Sequence, residues 1–396
     1  MEPKVRFKGF EGEWIYLPFS EIAERTSVSE QAGILPGVEF EDIVSGEGSF
    51  NKNIYQKDCH KFGKVFHKGD ILFGKLRPYL KNIILADFKG VAIGDFWILR
   101  SKDFDTEYLY TLINSDSFLD VANISSGSKM PRADWNLVST TKFIVTSNKE
   151  EQQSIGTYFR TLDAKLQASA KKVDSLKKLK SASLVAMFPQ NGESKPKVRF
   201  KGFEGEWRRI KFSKISSRVT RRNDMLECKL PLTISANEGL ISQEKFFKNI
   251  VASSNLDNYY LLKRGEFAYN KSYSNGYPFG AIKRLDKYDS GVLSPLYICF
   301  GIHNEVDSDY ICFFFETTLW HKDVAERATE GARNHGILNI GTEDFFDIDI
   351  MIPESKEEQQ SIAAFFRTLD RKIALETARL EKLKQIKLAC LDKMFV

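Results

Sequence analysis

Four basic and aromatic side chains in the first half of the chain have a spacing that suits DNA binding. Lys75, Arg77, Tyr79 and Lys81 alternate along the sequence, so on a β-strand they would share one face. Arginine can form two hydrogen bonds to guanine, and lysine can contact guanine or phosphate. We therefore interpret these residues as DNA-binding, although such alternation is also typical of a solvated strand face.

A second group of candidates lies in the other half of the chain and is rich in hydrogen-bonding side chains. It consists of Tyr269, Asn270, Lys271 and Tyr273. Asparagine is the side chain that reads adenine through two hydrogen bonds, so this group could also bind DNA. Alternatively, the tyrosines are half-buried sheet residues and Asn270 is a turn residue.

Two shorter segments complete the predicted DNA-binding set. Lys129 and Arg132 belong to a Ser- and Gly-rich stretch that follows the first group. In the second half, Arg333, Asn334 and His335 occupy the corresponding place. Their cationic and amide groups could contact phosphates or base edges.

The motifs that would indicate catalysis are missing or incomplete. The run from Gly69 to Lys75 matches most of a phosphate-binding loop, but Leu76 stands where Ser or Thr must hold magnesium. No dinucleotide-binding glycine motif follows a strand, and the histidines and cysteines have no metal-ligand spacing. The sequence therefore predicts a protein that is not an enzyme and holds no metal or cofactor; a self-contained nuclease or methyltransferase is an alternative.

Length and composition indicate a globular protein of two or more domains. The chain has 396 residues, of which 42% are hydrophobic and 28% charged. No run of uncharged apolar residues is long enough to span a membrane. Five scattered cysteines favour free thiols in a reducing cytoplasm over a disulfide framework.

The chain contains an internal repeat. Residues 3–14 and 196–207 both read PKVRFKGFEGEW, and residues 149–155 and 356–362 both read KEEQQSI, whereas the sequences between these motifs have diverged. Two unlike lobes therefore alternate with two similar long segments. The predicted domains are a first lobe at 1–148, a helical region at 149–188, a linker at 189–195, a second lobe at 196–355, and a second helical region at 356–396.

Both long segments have the apolar spacing of coiled-coil helices, with steps of three and four residues. Polar residues (Ser169, Lys180, Glu376 and Lys387) interrupt this seam. The lobes contain short strand-like and helix-like runs, so the predicted fold class is α+β with two long helices packed as an antiparallel coiled coil, in a pseudo-two-fold arrangement. The predicted coiled-coil core residues are Leu162, Leu166, Val173, Leu176, Leu369, Ile373, Leu380 and Leu383.

The doubled motifs, together with KGDILFGKLRPYLKN at 68–82 and SGSKMPR at 126–132, resemble those of type I restriction–modification specificity subunits over essentially the whole chain. The resemblance implies a non-catalytic subunit in which each lobe, a target recognition domain, reads one half of a bipartite DNA sequence. It also implies helices that set the half-site spacing and dock two methylation subunits.

Further partners are implied by the same resemblance. They are restriction subunits in the full complex, with S-adenosylmethionine, ATP and magnesium held by partner subunits, and double-stranded DNA as the target of adenine methylation. Two alternatives remain: a specificity subunit of a related fused restriction–methylation system, or a coiled-coil scaffold that binds only proteins.

Overall fold

A computed structural model describes residues 3–57, 60–124, 130–190, 192–235, 238–247, 256–272, 276–328, 338 and 340–395. The chain divides into two compact units. Unit 1 contains Met1–Val173 and Leu375–Val396, and unit 2 contains Asp174–Ala374. Each unit thus combines one predicted lobe with parts of both predicted long helices.

The first lobe is built from short strands followed by short helices. Its strands are β1 (Ile15–Pro18), β2 (Ala23–Thr26), β3 (Ser29–Gln31), β4 (Gly37–Val38), β5 (Ile43–Val44), β6 (Ser49–Phe50), β7 (Phe62–Phe66), β8 (Ile71–Gly74), β9 (Ile83–Leu85), β10 (Gly90–Ala92), β11 (Phe96–Ser101) and β12 (Lys142–Val145). Its helices are α1 (Phe19–Ile22), α2 (Thr106–Ile113), α3 (Asp116–Asn123) and α4 (Trp135–Thr140), and the long helix α5 (Lys149–Met187) follows.

The second lobe has a similar order of elements. Its strands are β13 (Arg208–Lys211), β14 (Ser216–Arg218), β15 (Leu232–Ser235), β16 (Gly239–Ser242), β17 (Tyr260–Lys263), β18 (Phe267–Asn270), β19 (Ala281–Arg284), β20 (Ser290–Leu293), β21 (Ile298–Ile302) and β22 (Asp349–Ile352). Its helices are α6 (Gln243–Phe247), α7 (Ser308–Phe314), α8 (His321–Arg327) and α9 (Thr342–Phe346), and the long helix α10 (Lys356–Met394) follows.

Corresponding sheets recur in the two units. The order β2-β11-β8-β9 in unit 1 matches β14-β21-β18-β19 in unit 2, and the antiparallel pair β1-β12 matches β13-β22. Unit 1 adds a second four-stranded sheet, β3-β7-β10-β4, where unit 2 has the pairs β15-β16 and β17-β20. The predicted α+β class with two long helices is confirmed.

The repeated PKVRFKGFEGEW motif is anchored in unit 1 by a buried ion pair. Arg6 donates to both carboxylate oxygens of Glu151, in α5, at 2.6 and 2.9 Å. The same guanidinium donates to the backbone carbonyls of Glu11 and Gly12, at 3.0 and 2.7 Å. Glu151 is fully buried, so one arginine both neutralises a buried charge and fixes the loop that precedes the buried Trp14.

Unit 2 repeats these contacts with the equivalent residues. Arg199 donates to Glu358, in α10, at 2.7 and 2.8 Å and to the carbonyls of Glu204 and Gly205 at 2.9 and 2.7 Å. Trp207 is buried like its counterpart in unit 1. The motif is therefore present twice because each long helix carries a buried carboxylate that needs the same partner.

The glutamine that follows each buried glutamate connects the helix to its lobe. Gln152 accepts the backbone N–H of Asp105 at 2.8 Å, and Gln359 accepts that of Asp307 at 2.9 Å. Asp105 and Asp307 in turn cap the N-termini of α2 and α7. Through this glutamine, the KEEQQSI motif positions the start of α2 in the first lobe and of α7 in the second.

Segments of α5 and α10 run antiparallel within each unit. In unit 1, Lys387 pairs with Asp163 at 2.6 Å, whereas Ser169, later in α5, donates to Glu376, earlier in α10, at 2.5 Å. In unit 2, Lys180 donates to Asp370 at 2.6 Å. The four polar residues that interrupt the apolar seam are therefore all paired.

The predicted coiled-coil core residues differ in burial. Leu162, Val173 and Leu369 are buried. The other five (Leu166, Leu176, Ile373, Leu380 and Leu383) are partly buried. Polar pairs alternate with these apolar residues, so the seam is a mixed one.

Replacing Arg6 or Arg199 with alanine is expected to destabilise the corresponding unit by about 3 kcal/mol, because a buried carboxylate loses its partner. Urea denaturation followed by tryptophan fluorescence would measure the loss. Lys8→Ala, an exposed change in the same motif, should stay within about 0.5 kcal/mol of the parent. Equal losses in all three variants would contradict a special role for the arginines.

Candidate nucleic-acid interface

The first predicted cluster does not lie on one strand face, and that prediction is wrong. Strand β8 ends at Gly74, and Pro78–Leu80 form a 3-10 turn. Arg77 and Lys81 flank this turn with left-handed backbone angles, φ 51° and 52°. A proline has no N–H for a sheet ladder, so the strand cannot continue through position 78.

The turn still presents two of the predicted side chains to solvent. Arg77 is exposed, and Tyr79 is 54% exposed. The backbone N–H of Arg77 donates to the carbonyl of Pro131 at 2.8 Å, and Leu76 forms an isolated β-bridge with Arg132. The tertiary structure thus brings Arg132, from a distant predicted segment, next to the turn.

Asp95 organises the basic residues beside this turn. It pairs with Arg132 at 2.9 Å and with Lys75 at 3.3 Å. Burial raises the pKa of Asp95, but the hydrogen bonds from Arg132 and Lys75 outweigh it, so the pKa lies below its ordinary value. At the other end of the turn, Lys81 pairs with Asp116 at 3.7 Å.

Two further cations that sequence reasoning missed belong to the same surface. Lys64, in β7, donates to the backbone carbonyl of Phe96, and its pKa is lowered by burial and by the charges of Lys75 and Arg25. Arg25, in β2, is exposed and lies 4.8 Å from the ring centre of Trp135. The charges of Lys75, Arg25 and Asp95 all act on Lys64, so with Arg132 four cations share one surface with the carboxylate of Asp95, which pairs with two of them.

A sequence signal for Arg25 existed. Adding the repeat offset of 193 gives Arg218, which occupies the equivalent edge strand β14. Arg218 is exposed and donates to the hydroxyl of Tyr260 at 3.2 Å, and the exposed Arg222 lies 4.6 Å from the centre of the same ring. Each lobe therefore carries an exposed arginine at this position of the repeat, and each of the two contacts an aromatic side chain, Arg25 through the ring of Trp135 and Arg218 through the hydroxyl of Tyr260.

Two acidic residues that each follow a glycine and precede a predicted DNA-binding group, Asp70 and Glu266, have a structural role. Asp70 and Glu266 each accept the backbone N–H three residues earlier, at 2.8 and 2.7 Å. Asp70 also accepts two hydrogen bonds from Arg100, and Glu266 pairs with Arg221 at 2.8 Å. Because both acids close the same turn, the exchange of Asp for Glu leaves the strand that follows in place.

Tyr269 is not a surface residue, so its prediction as a DNA-binding residue is wrong. Its side chain is fully buried in β18, its ring stacks on Phe345 at 4.8 Å, and its hydroxyl donates to the carbonyl of Phe279 at 2.7 Å. It thus belongs to the aromatic core of unit 2, on the face of the strand that packs inward.

The neighbours of Tyr269 are partly buried. Asn270 accepts the backbone N–H of Ser272 at 3.0 Å through its side-chain oxygen, as in a turn. Lys271 donates to the carbonyl of Ile340 at 3.4 Å, and burial lowers its pKa. The other predicted sites, Lys129, Tyr273, Arg333, Asn334 and His335, lie outside the described residues.

Within the described part of the chain, no helix has the length and apolarity needed to cross a membrane, and no cluster of three His, Cys, Asp or Glu side chains could hold a metal ion.

Comparison with known proteins identifies relatives of one kind. A family model for the type I restriction modification DNA specificity domain matches residues 292–385. The specificity subunit of the type I restriction enzyme EcoDI from Escherichia coli is 25% identical over 125 residues, which are 30% of this chain and 28% of the relative. The aligned part is thus less than a third of that protein's length.

Two solved structures share the fold along nearly the whole chain. The type I restriction–modification S subunit from M. genitalium matches with a TM-score of 0.62 and 15% identity, covering 100% of this chain and 99% of that one. A chain from a study of complex assembly and conformational transition in the type I system matches with a TM-score of 0.51 and 16% identity, covering 97% and 98%. At this identity, the likeness establishes the fold.

Two tyrosines test the division between surface and core. Tyr269→Ala should cost about 3–5 kcal/mol of stability because it leaves a cavity, and Tyr269→Phe about 1 kcal/mol because it removes one hydrogen bond. Tyr79→Ala should change stability by less than about 0.5 kcal/mol. Thermal unfolding would measure all three; a tolerated Tyr269→Ala would show that this ring is not a core residue.

Proposed function

We propose that this chain, which belongs to the specificity-subunit family of type I restriction–modification systems, is the non-catalytic subunit that selects the DNA sequence. It would act in the cytoplasm, with each lobe reading one half of a bipartite target. Catalysis, and the S-adenosylmethionine, ATP and magnesium that it requires, would belong to partner subunits. The chain itself would need no cofactor.

One observation carries this proposal: the same buried contacts hold two lobes of unlike surface. The Arg6–Glu151 and Arg199–Glu358 pairs have nearly the same geometry, although the lobes between the motifs have diverged. The repeated motifs and the two long helices thus form a duplicated frame that carries two different surfaces. Such an arrangement suits a protein that must bind two different half-sites at once. Specificity then depends on the exposed side chains of each lobe.

In the first lobe, the turn at Pro78–Leu80 is the best-supported reading element. Its flanking residues are clamped by backbone hydrogen bonds, so Arg77 and Tyr79 project from a fixed base. Arg77 would contact a base edge, because no acidic side chain in the described structure is paired with it. Arg132, which pairs with Asp95, and Arg25, whose charge acts on the neighbouring Lys64, would contact phosphates.

Arg77→Ala and Arg25→Ala should weaken DNA binding in different ways. Arg77→Ala should remove a base contact, which costs about 1–3 kcal/mol and relaxes the sequence requirement in one half-site only. Arg25→Ala should remove a phosphate contact, which weakens binding to all sequences alike and lowers the salt dependence by about one ion. Sequencing of methylated adenines in cells that carry the chain and its methylation partner would show the first effect, and binding measured at several salt concentrations the second.

Lys68→Ala is the matched control, because Lys68 is exposed in the same lobe before β8. It should leave the methylated sequence and the affinity unchanged. If the parent chain produced no two-part methylated sequence with its partner, the proposed function would be wrong. If Arg77→Ala left the sequence requirement intact, only the assignment of that residue would be wrong.

We further infer that the long helices set the distance between half-sites and that the frame docks two methylation subunits. Exposed apolar residues at equivalent positions support the docking: Val5 and Ile386 in unit 1, and Val198 and Leu179 in unit 2, are 37–54% exposed. The N–H of Val5 donates to the carbonyl of Lys393, which lies two helical turns after Ile386 on the same side of α10. The N–H of Val198 makes the equivalent bond to Ala186.

Two equivalent apolar patches predict a stepwise loss of partner binding. Val5→Asp or Val198→Asp alone should leave one methylation subunit per chain, and the double variant should bind none, because a charge in an apolar contact costs several kcal/mol. The mass of the purified complex, measured by light scattering, would give the stoichiometry. Lys8→Asp, an exposed charge change nearby, should keep two subunits; an unchanged mass in the double variant would exclude these patches.

A further inference from the structure

The central polar contact of the helix pair joins two equivalent positions of the repeat. Glu376 follows Ser169 by 207 residues, the offset that relates the two helical segments. Both side chains are buried, and the Ser169 hydroxyl donates to Oε1 of Glu376 at 2.5 Å. Lys172 pairs with Oε2 at 2.9 Å, and Arg379 lies 3.7 Å from Oε1. In an antiparallel pair of repeats, this is the place where a residue meets its own counterpart.

We propose that the contact between Ser169 and Glu376 favours the pairing of α5 with α10 and disfavours the pairing of like helices from two copies. Like pairing is a real competitor because the frame is duplicated. The same two buried residues stand at the end of each helix, Met187 and Phe188 for α5 and Met394 and Phe395 for α10, with the phenylalanine directly after the last helical residue. The ring of Phe395 lies 6.1 Å from Trp14, and that of Phe188 lies 6.0 Å from Trp207. An exchanged helix end would therefore fit either unit.

The flanking ion pairs that run from helix to helix do not distinguish like from unlike helices, although Lys180 also pairs with Glu316 of the second lobe at 2.6 Å. Asp163 pairs with Lys387 in unit 1, and their equivalents Asp370 and Lys180 pair in unit 2. Since each helix carries both an aspartate and a lysine, two copies of α5 could form Asp163–Lys180 bridges, and two copies of α10 could form Asp370–Lys387 bridges. The flanking apolar positions are apolar in both repeats and do not distinguish the pairings either.

The central position does distinguish them. The hydrogen bonds from Ser169 and Lys172 lower the pKa of Glu376, so at neutral pH it is a carboxylate. Pairing α10 with a second α10 would bring two carboxylates together where a hydroxyl now donates. Each Glu376 carboxylate would still have a cation nearby, because Arg379 is the equivalent of Lys172. Its Oε1 atom, however, would lose the Ser169 hydroxyl as a donor and would face a second carboxylate. A single polar residue in a helix seam is known to select partners in this way.

The consequence for the complex rests on the proposed function. A chain that pairs its own unlike helices presents one copy of each lobe, and so reads an asymmetric two-part sequence. In a dimer that pairs like helices, α5 would pack on the α5 of the second chain and α10 on its α10. Each helix pair would then join identical lobes. The Ser169–Glu376 contact would thus help each helix pair join two unlike lobes.

The test is to unfold and refold full-length variants at high protein concentration and to measure the dimer fraction by light scattering. Glu376→Ser makes every pairing a Ser–Ser contact, so the dimer fraction should rise several-fold above that of the parent. The double variant Ser169→Glu/Glu376→Ser restores one hydroxyl and one carboxylate in exchanged places, so its dimer fraction should return to the parental value. Equal dimer fractions in all three chains, or a double variant as dimeric as Glu376→Ser, would overturn the proposal.

A second comparison keeps the test decisive if Glu376→Ser refolds poorly. Ser169→Glu puts a carboxylate opposite Glu376 in every pairing, whereas Ser169→Gln adds a side chain of the same size that can still donate. The glutamate variant should unfold at a lower urea concentration than the glutamine variant, and equal midpoints would count against the proposal. Neither measurement uses DNA, so a failure here is separate from a failure of the proposed function.

Discussion

Two buried pairs of guanidinium and carboxylate groups, Arg6 with Glu151 and Arg199 with Glu358, underlie the rest of the architecture. A carboxylate removed from water is strongly destabilising unless a cation and further hydrogen bonds compensate for it. Here each arginine meets both oxygens and also ties down the loop of its own motif. This constraint explains why two short motifs about 145 to 160 residues apart recur together: neither is stable in the interior without the other.

The same pairs separate the part of the molecule that must stay constant from the part that can vary. In each unit, three parts of the repeat contact one another or the same lobe. They are the arginine motif, the glutamate and glutamine at the start of the long helix, and the phenylalanine that follows the end of the other long helix. The strands and turns outside that set carry different residues in the two lobes. A lobe can therefore acquire a new surface while the contacts that hold it remain satisfied, which is what a reader of variable DNA sequences requires.

The basic surface of the first lobe shows how strand pairing assembles charge from separate segments. Lys75 and Arg132 meet at Asp95, and Lys64 and Arg25 join them from two other strands. The mutual repulsion of these cations is tolerated because Asp95 offsets part of it and because the arginines stay near solvent. A ligand with closely spaced phosphates would relieve the remaining repulsion.

The sequence by itself determined the duplication, the α+β class with two long helices, and the polar residues that interrupt the helical seam, because periodicity and identity are properties of the chain alone. It also predicted Arg77, Tyr79 and Arg132 as DNA-binding residues, and all three are exposed. Only the tertiary structure decided that Tyr269 faces the core and that Arg25 and Lys64 lie on one surface with Lys75 and Arg132. Those outcomes depend on which strand pairs with which and on which face of each strand packs inward, and residues that meet across a sheet leave no local pattern in the sequence.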